Sequence, residues 1–162
     1  MEYNAEYDKL AKGMTIFIII FTLSLMILIT YMAILLENLP IVAIIIDALL
    51  IAIIIIPYFY APKSYEIAEN GVIIRRVAND IVIPYEKIKN FYVTDIGLKV
   101  VRLWASGGLY GYFGLFRVPK IGRVWAYLKR RRNVVLIEAD KKYAVAPENV
   151  EIFIEELKAK LR

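Results

Sequence analysis

Hydrophobic and polar positions fall into three regimes along the chain. Met14 to Leu36 is 23 residues without a charge, and Leu39 to Tyr60 is 22 residues with one, Asp47. About 20 apolar residues, each rising about 1.5 Å, cross a hydrocarbon core of about 30 Å, so each run is long enough for a transmembrane helix. Only Glu37 and Asn38 separate the runs before Leu39-Pro40, which predicts a tight antiparallel hairpin. Two buried helices of a soluble core seldom stay this apolar for this long. A cleavable signal peptide fits no better, because its apolar run is shorter and a small-x-small site must follow it.

Past Ala61 the period shortens to two. Ser64 to Ala68 alternates, Asn70-Gly71 turns the chain, and Val72 to Val77 returns, a strong hairpin pattern. Asn79-Asp80 turns again into Ile81-Val82-Ile83, and Phe91 to Thr94 and Lys99 to Trp104 form two more short strands. Arg123 to Leu128 and Val134 to Glu138 flank the charged stretch Lys129 to Asn133, which predicts another hairpin with that stretch at its tip. Lys142 to Val145 adds a last strand. Then Val150, Phe153, Ile154, Leu157 and Leu161 recur at helical spacing. Pro147 suits a first turn, Glu148 and Glu151 its positive end, and Lys158, Lys160 and Arg162 its negative end. The predicted organisation is an N-terminal segment 1–13, spans 14–36 and 39–60, and a mainly-β domain 61–162. That domain reads as a small barrel or sandwich of about seven strands capped by a C-terminal helix.

Charge orients this arrangement. Lys9 and Lys12 precede the first span, Lys63, Arg75 and Arg76 follow the second, and the intervening loop carries Glu37 alone. The positive-inside rule then places both termini in the cytoplasm and the hairpin in the cell membrane. Tyr58, Phe59 and Tyr60 sit where an interfacial aromatic belt belongs. Tyr3, Tyr7 and Leu10 read either as one face of an interfacial helix or as a frayed tail. From Ala61 onward, 19 Lys and Arg face 11 Asp and Glu, a net charge of +8 against +5 for the whole chain. Such a domain is drawn to anionic headgroups, by about 1 kcal/mol per cation near the surface. With a membrane tether, lipid is a better partner for this charge than nucleic acid.

Several short motifs resemble the prokaryotic pleckstrin-homology-like (PH-like) domains. They are Tyr65-Glu66-Ile67 with Gly71-Val72-Ile73-Ile74, the run Ile83-Pro84-Tyr85-Glu86-Lys87-Ile88, the segment Gly107 to Gly114, and the ending Tyr143 to Glu151 with Phe153, Ile154 and Leu157. The resemblance spans Ala61 to Leu161 and implies a seven-stranded barrel closed by a helix, in a branch that commonly carries two membrane helices ahead of it. It implies a scaffold for lipid or protein binding rather than an activity. Phosphoinositide-binding members resemble one another in a basic loop between the first two strands. Here Glu66 to Gly71 holds Glu66 and Glu69 and no cation, so no ligand residue carries over from those members.

Candidate chemistry is sparse. The chain has no His and no Cys, which excludes imidazole bases, thiol nucleophiles and Cys or His metal sites, and nothing suggests a disulfide scaffold. Gly108, Gly111 and Gly114 lack the Gly-Lys-Ser/Thr of a P-loop. No catalytic residue, metal or cofactor is expected. Lys129, Arg130, Arg131 and Arg132, with Arg75 and Arg76, form a candidate lipid-facing set; a solvated tip is the plain alternative for the run of four. Tyr110, Tyr112 and Phe113 are candidates for membrane or partner contact, or else they complete the core while the glycines turn a strand. Asp47 lies about 8 residues into its helix, roughly 12 Å from the outer end, where snorkelling is difficult. Thr30 falls opposite it if the turn is symmetric. The expected role is a membrane-anchored binding or assembly module with a protein partner or second copy. An accessory subunit of a membrane transporter or enzyme complex is the alternative.

Overall fold

Lys9–Leu36 forms one continuous helix, α1, and Pro40–Tyr60 forms a second, α2. They come from a computed structural model, which describes residues 1–36, 40–97 and 100–161. The predicted turn at Glu37-Asn38, Leu39, Lys99 of a predicted strand and Arg162 lie outside those residues. Asp8 starts α1 ahead of the uncharged run, because its carboxylate accepts the Ala11 amide at 2.6 Å. Pro40 opens α2 with a fixed φ and no amide to satisfy. Among the described residues of the two helices, only Ala11, Thr22 and Ala43 are buried. Phe17, Ile27, Ile34, Ile41 and Ile44 all stand more than half exposed. A core helix of a soluble domain hides that surface. Both helices are long and apolar enough to cross a membrane.

Two sheets and a closing helix follow. The first sheet is β1 (Glu2–Asn4), β2 (Pro62–Ile67), β3 (Gly71–Arg76) and β4 (Ile81–Pro84), in that order and antiparallel throughout. The second holds β5 (Asn90–Thr94), β6 (Val101–Gly108), β7 (Gly111–Val118), β8 (Gly122–Leu128), β9 (Val134–Glu138) and β10 (Lys142–Val145), in the order β5-β9-β10-β8-β7-β6. The C-terminal helix α3 spans Val150–Lys160 and buries Val150, Phe153 and Leu157.

The expectation for Tyr3, Tyr7 and Leu10 is corrected here. Tyr3 lies on β1 opposite Tyr65 of β2, Leu10 lies on α1, and Tyr7 falls between the two elements. The local pattern is the period of a strand, with Tyr3 buried between exposed Glu2 and Asn4. The Tyr3 ring meets Phe153 of α3 edge-on at 5.2 Å, and its hydroxyl donates to Glu156. Backbone bonds from Ala5 to Lys63 and from Glu148 to Asn4 continue the join. The residues ahead of α1 and the residues behind α2 therefore share one sheet.

A second correction concerns the predicted hairpin of Arg123–Leu128 with Val134–Glu138. β8 and β9 are not neighbours, because β10 lies between them, antiparallel to β9 and parallel to β8. Both segments read as strands whichever neighbour they take, so nothing local told a hairpin from a crossover. The Gly107 to Gly114 segment holds the turn of the β6–β7 hairpin and the first half of β7, a strand absent from the predicted set.

The six-stranded sheet is covered on both faces. Val135 and Ile137 of β9 join Tyr65, Ile74, Phe153 and Leu157 in a core between the sheets and α3. Val134 and Leu136 point the other way, against Phe116, Val124, Leu128, Ile96 and Ala11 of α1. That is why Val134-Val135-Leu136-Ile137 is continuously apolar. Each such buried side chain stabilises the fold by about 1.5–3 kcal/mol relative to exposure.

Candidate functional site

Residues near the helix–domain junction gather most of the sequence candidates. The β6–β7 hairpin turns at Leu109-Tyr110, with Tyr110 at a φ of 58° and the glycines 108 and 111 beside it at positive φ. A Cβ on Gly108 would meet the Met14 side chain of α1 at an ordinary 3.4 Å, so it is the φ of 135° rather than the close approach that calls for glycine there. There the Thr15 hydroxyl accepts the Tyr110 amide at 2.9 Å and lies 3.1 Å from the Gly108 carbonyl. The Tyr110 ring meets Tyr58 of α2 at 5.5 Å. The hairpin thereby grips both helices.

Of the three aromatic candidates, Tyr110 alone reaches the helices in this way. Tyr112 and Phe113 are each 7% exposed and lie in different cores on opposite faces of β7. Strand alternation sends neighbours to opposite faces, and both faces are covered, so neither ring stands out on the surface of the domain.

The run of four cations is not a solvated tip, because it crosses between β8 and β9 instead of closing a hairpin. Lys129 accepts the Asp8 amide on its carbonyl at 3.0 Å, and its ammonium lies 4.5 Å from the Tyr7 ring centroid. Burial lowers the pKa of that ammonium, and Lys63 nearby adds to the effect. Arg130 donates to the Pro147 carbonyl at 2.5 Å and to Glu6 at 3.2 Å, clamping the segments ahead of α1 and α3. Arg131 lies 4.6 Å from the Tyr112 ring centroid. Arg132 stands exposed, and it is the member of the run that faces outward.

Arg75 and Arg76 are also engaged. Arg75 pairs with Glu66 at 2.5 Å and with Asp80. Desolvation pushes the Asp80 carboxyl up, but the hydrogen bonds from the Arg75 side chain and the Arg76 amide, with both charges, outweigh it and hold the group below its ordinary value. Glu66, near the end of β2, therefore answers a cation of its own sheet. Arg76 bonds Asn79 at 2.7 and 2.8 Å and lies between Tyr60, the last residue of α2, and Tyr127.

Within the helices, the Thr30 hydroxyl donates to Asp47 Oδ2 at 2.9 Å. Asp47 Oδ1 is buried and without a hydrogen-bond partner among the described residues. The cleft beside it, about 370 Å³, is lined by small or aliphatic residues, Ala33, Pro40, Ala43 and Ile44 among them. Two features escaped the sequence. Trp104 is 83% exposed on the edge strand β6 beside exposed Leu103, where a bulge between Arg102 and Trp104 breaks alternation. A cavity under Tyr112 joins Ile96, Val100 and Arg102 to residues of β7 and β8 and to Arg131, which lie far apart in the chain.

Residues 63–161 match the bacterial PH domain family. An uncharacterised protein of Clostridium acetobutylicum is 30% identical over 86 residues, a match covering 51% of this chain and 29% of the relative. The chain thus spans less than a third of the length of that relative. No solved structure matches. The family match begins with β2 and ends after α3, the same stretch that folds as paired sheets under a closing helix, and the chain belongs to the bacterial PH domain family.

Proposed function

We propose that this chain is a non-catalytic binding and assembly module held at the inner face of the cell membrane. In this reading α1 and α2 cross the bilayer, both flanks lie in the cytoplasm, and the basic domain meets anionic headgroups. The observation that carries it is the pairing of β1 with β2 around the helices. A pair of spans returns the chain to its starting side, and a shared sheet requires that return. The charge of the domain supports the cytoplasmic side and the attraction to lipid. Arg132 is the strongest lipid-facing candidate, since the other three cations of its run have protein partners.

The chain has no cysteine, so single cysteines report topology cleanly. One at Asn38 is expected to react with an impermeant thiol reagent outside intact cells, and one at Glu156 to be protected. The reverse pattern overturns the orientation. Labelling at both sites overturns the two-span anchor.

A second reading rests on Asp47. Its unpartnered oxygen faces a cleft of small residues, which favours a helix of another subunit as the missing donor. The module would then be an accessory subunit of a membrane transporter or enzyme complex, with Asp47 at the contact.

A further inference from the structure

A cavity of about 140 Å³ lies on the face of the six-stranded sheet turned away from α3. Its apolar wall is Ile96, Val100, Phe116 and Leu128, and Arg102 and Arg131 stand at its polar side. Tyr112 lines it as well, with its hydroxyl buried and without a hydrogen-bond partner among the described residues.

The backbone builds this polar side. Gly107 of β6 pairs directly with Tyr112 of β7. A Cβ on Gly107 would collide with the guanidinium of Arg102, so the missing side chain makes the space in which that guanidinium lies. Arg131 stands over the Tyr112 ring from the β8–β9 crossover. Its own position is fixed from behind, where its carbonyl accepts the Ile96 amide at 2.9 Å. Two cations thus converge on one unpartnered phenol. Burial raises the phenol's pKa and Asp8 pushes the same way, while the charges of Arg131 and Arg102 and the nearness of the Arg131 guanidinium, not aligned as a hydrogen bond, pull it back only in part, so the hydroxyl stays protonated near neutral pH.

Water can reach this arrangement, since Arg102 is exposed and Arg131 half-buried. It would satisfy the hydroxyl but neutralise neither cation. Among the described residues, neither Arg102 nor Arg131 has a carboxylate within salt-bridge distance. The Asp8 carboxylate, near enough to act on Tyr112, is held by the Ala11 amide. Two guanidiniums and a phenol donor suit a phosphate or carboxylate, and the wall of Phe116 and Leu128 suits a short hydrocarbon stem.

We propose that this cavity binds an organic anion, a phosphate or carboxylate head on an apolar stem. Arg102 and Arg131 hold the charge, and the Tyr112 hydroxyl donates to it. The head can come from a membrane lipid or from a soluble ester. The site does not depend on how the chain is oriented in a bilayer.

The test uses the full chain in a neutral detergent, titrated calorimetrically and by thermal unfolding with hexyl phosphate, inorganic phosphate and hexanol. Hexyl phosphate is expected to bind and raise the unfolding midpoint more than either control. Losing one charge-assisted hydrogen bond in Tyr112→Phe should weaken it about tenfold. Arg131→Gln should weaken it at least as much. Tyr112→Phe should also raise the ligand-free midpoint, since it removes an unpaired buried hydroxyl, and a packing role for that hydroxyl would lower it. Gly107→Ala displaces the Arg102 head without touching the core and should weaken binding too. Hexyl phosphate acting no better than hexanol overturns the proposal, as does parent-like affinity in all three variants. In lipid nanodiscs, binding to the parent that is lost when phosphatidylglycerol is added to phosphatidylcholine assigns the head to lipid. Binding that persists assigns it to a soluble ester.

Discussion

The Thr15 hydroxyl and the Tyr110 amide, 2.9 Å apart, join the first helix to the turn of the β6–β7 hairpin. The same hydroxyl lies 2.8 Å from the Ala11 carbonyl and 3.1 Å from that of Gly108, so its proton has an acceptor on either side. This small group ties the hairpin turn to the helix.

Thr15→Val keeps the shape and removes the hydroxyl. It leaves a part-buried amide unpaired and should destabilise the junction by about 1–3 kcal/mol, seen as a lower unfolding midpoint in detergent. Thr15→Ser should restore most of the loss. A valine variant as stable as the parent would show that the contact is incidental.

Tyr3 separates strand pairing from side-chain anchoring. Tyr3→Phe removes only the bond to Glu156 and should cost about 0.5–1.5 kcal/mol. Tyr3→Ala removes a buried ring and should cost about 3–5 kcal/mol. Hydrogen exchange at the β2 amides should rise in the alanine variant, because those amides lose their neighbour strand. Unchanged exchange there would argue that β1 contributes nothing to the sheet.

Neighbouring cations should behave differently. Arg130→Gln breaks bonds to the Pro147 carbonyl and to Glu6, and should lower stability by about 1.5–3 kcal/mol. Arg132→Gln should leave stability within about 0.5 kcal/mol of the parent. It should instead reduce the phosphatidylglycerol retained in native mass spectrometry. Equal stability losses in both variants would contradict the division of roles drawn from their contacts.

Asp47→Leu weighs two opposing membrane terms. A charged carboxylate at that depth costs up to about 3 kcal/mol on insertion scales. One interhelical hydrogen bond returns about 0.6–2 kcal/mol. The Thr30 bond therefore offsets the cost only in part. The leucine variant should keep or gain stability as a lone hairpin while losing size on native gels. Retained complex size with lower stability would point to a partner within the chain.

What could be read in advance was whatever a short window holds. The apolar runs, the hairpin at Asn70-Gly71 and the spacing of Val150, Phe153 and Leu157 all state their element locally. So does the placement of Thr30 opposite Asp47, which needs only helix geometry and a short turn. Strand adjacency is different, because the insertion of Lys142–Val145 between β8 and β9 is a long-range pairing that alternation does not encode. Misplacing that strand is what made Lys129 to Arg132 look like a tip. Tyr112 was legible as an aromatic near glycines, but its neighbours Ile96, Arg102 and Arg131 are scattered in the chain and meet only in the folded sheet.

The β1–β2 pairing has a consequence for biosynthesis. Tyr3 leaves the ribosome before either helix, and its partner Tyr65 only after both. With the helices across a bilayer, the first strand waits unpaired until the second span is in place. Insertion of one helix alone would leave the two strands on opposite sides of the membrane, with β2 keeping an open edge that invites pairing with other chains. Completing the sheet therefore requires that both spans be threaded, and a mis-threaded chain keeps that edge open.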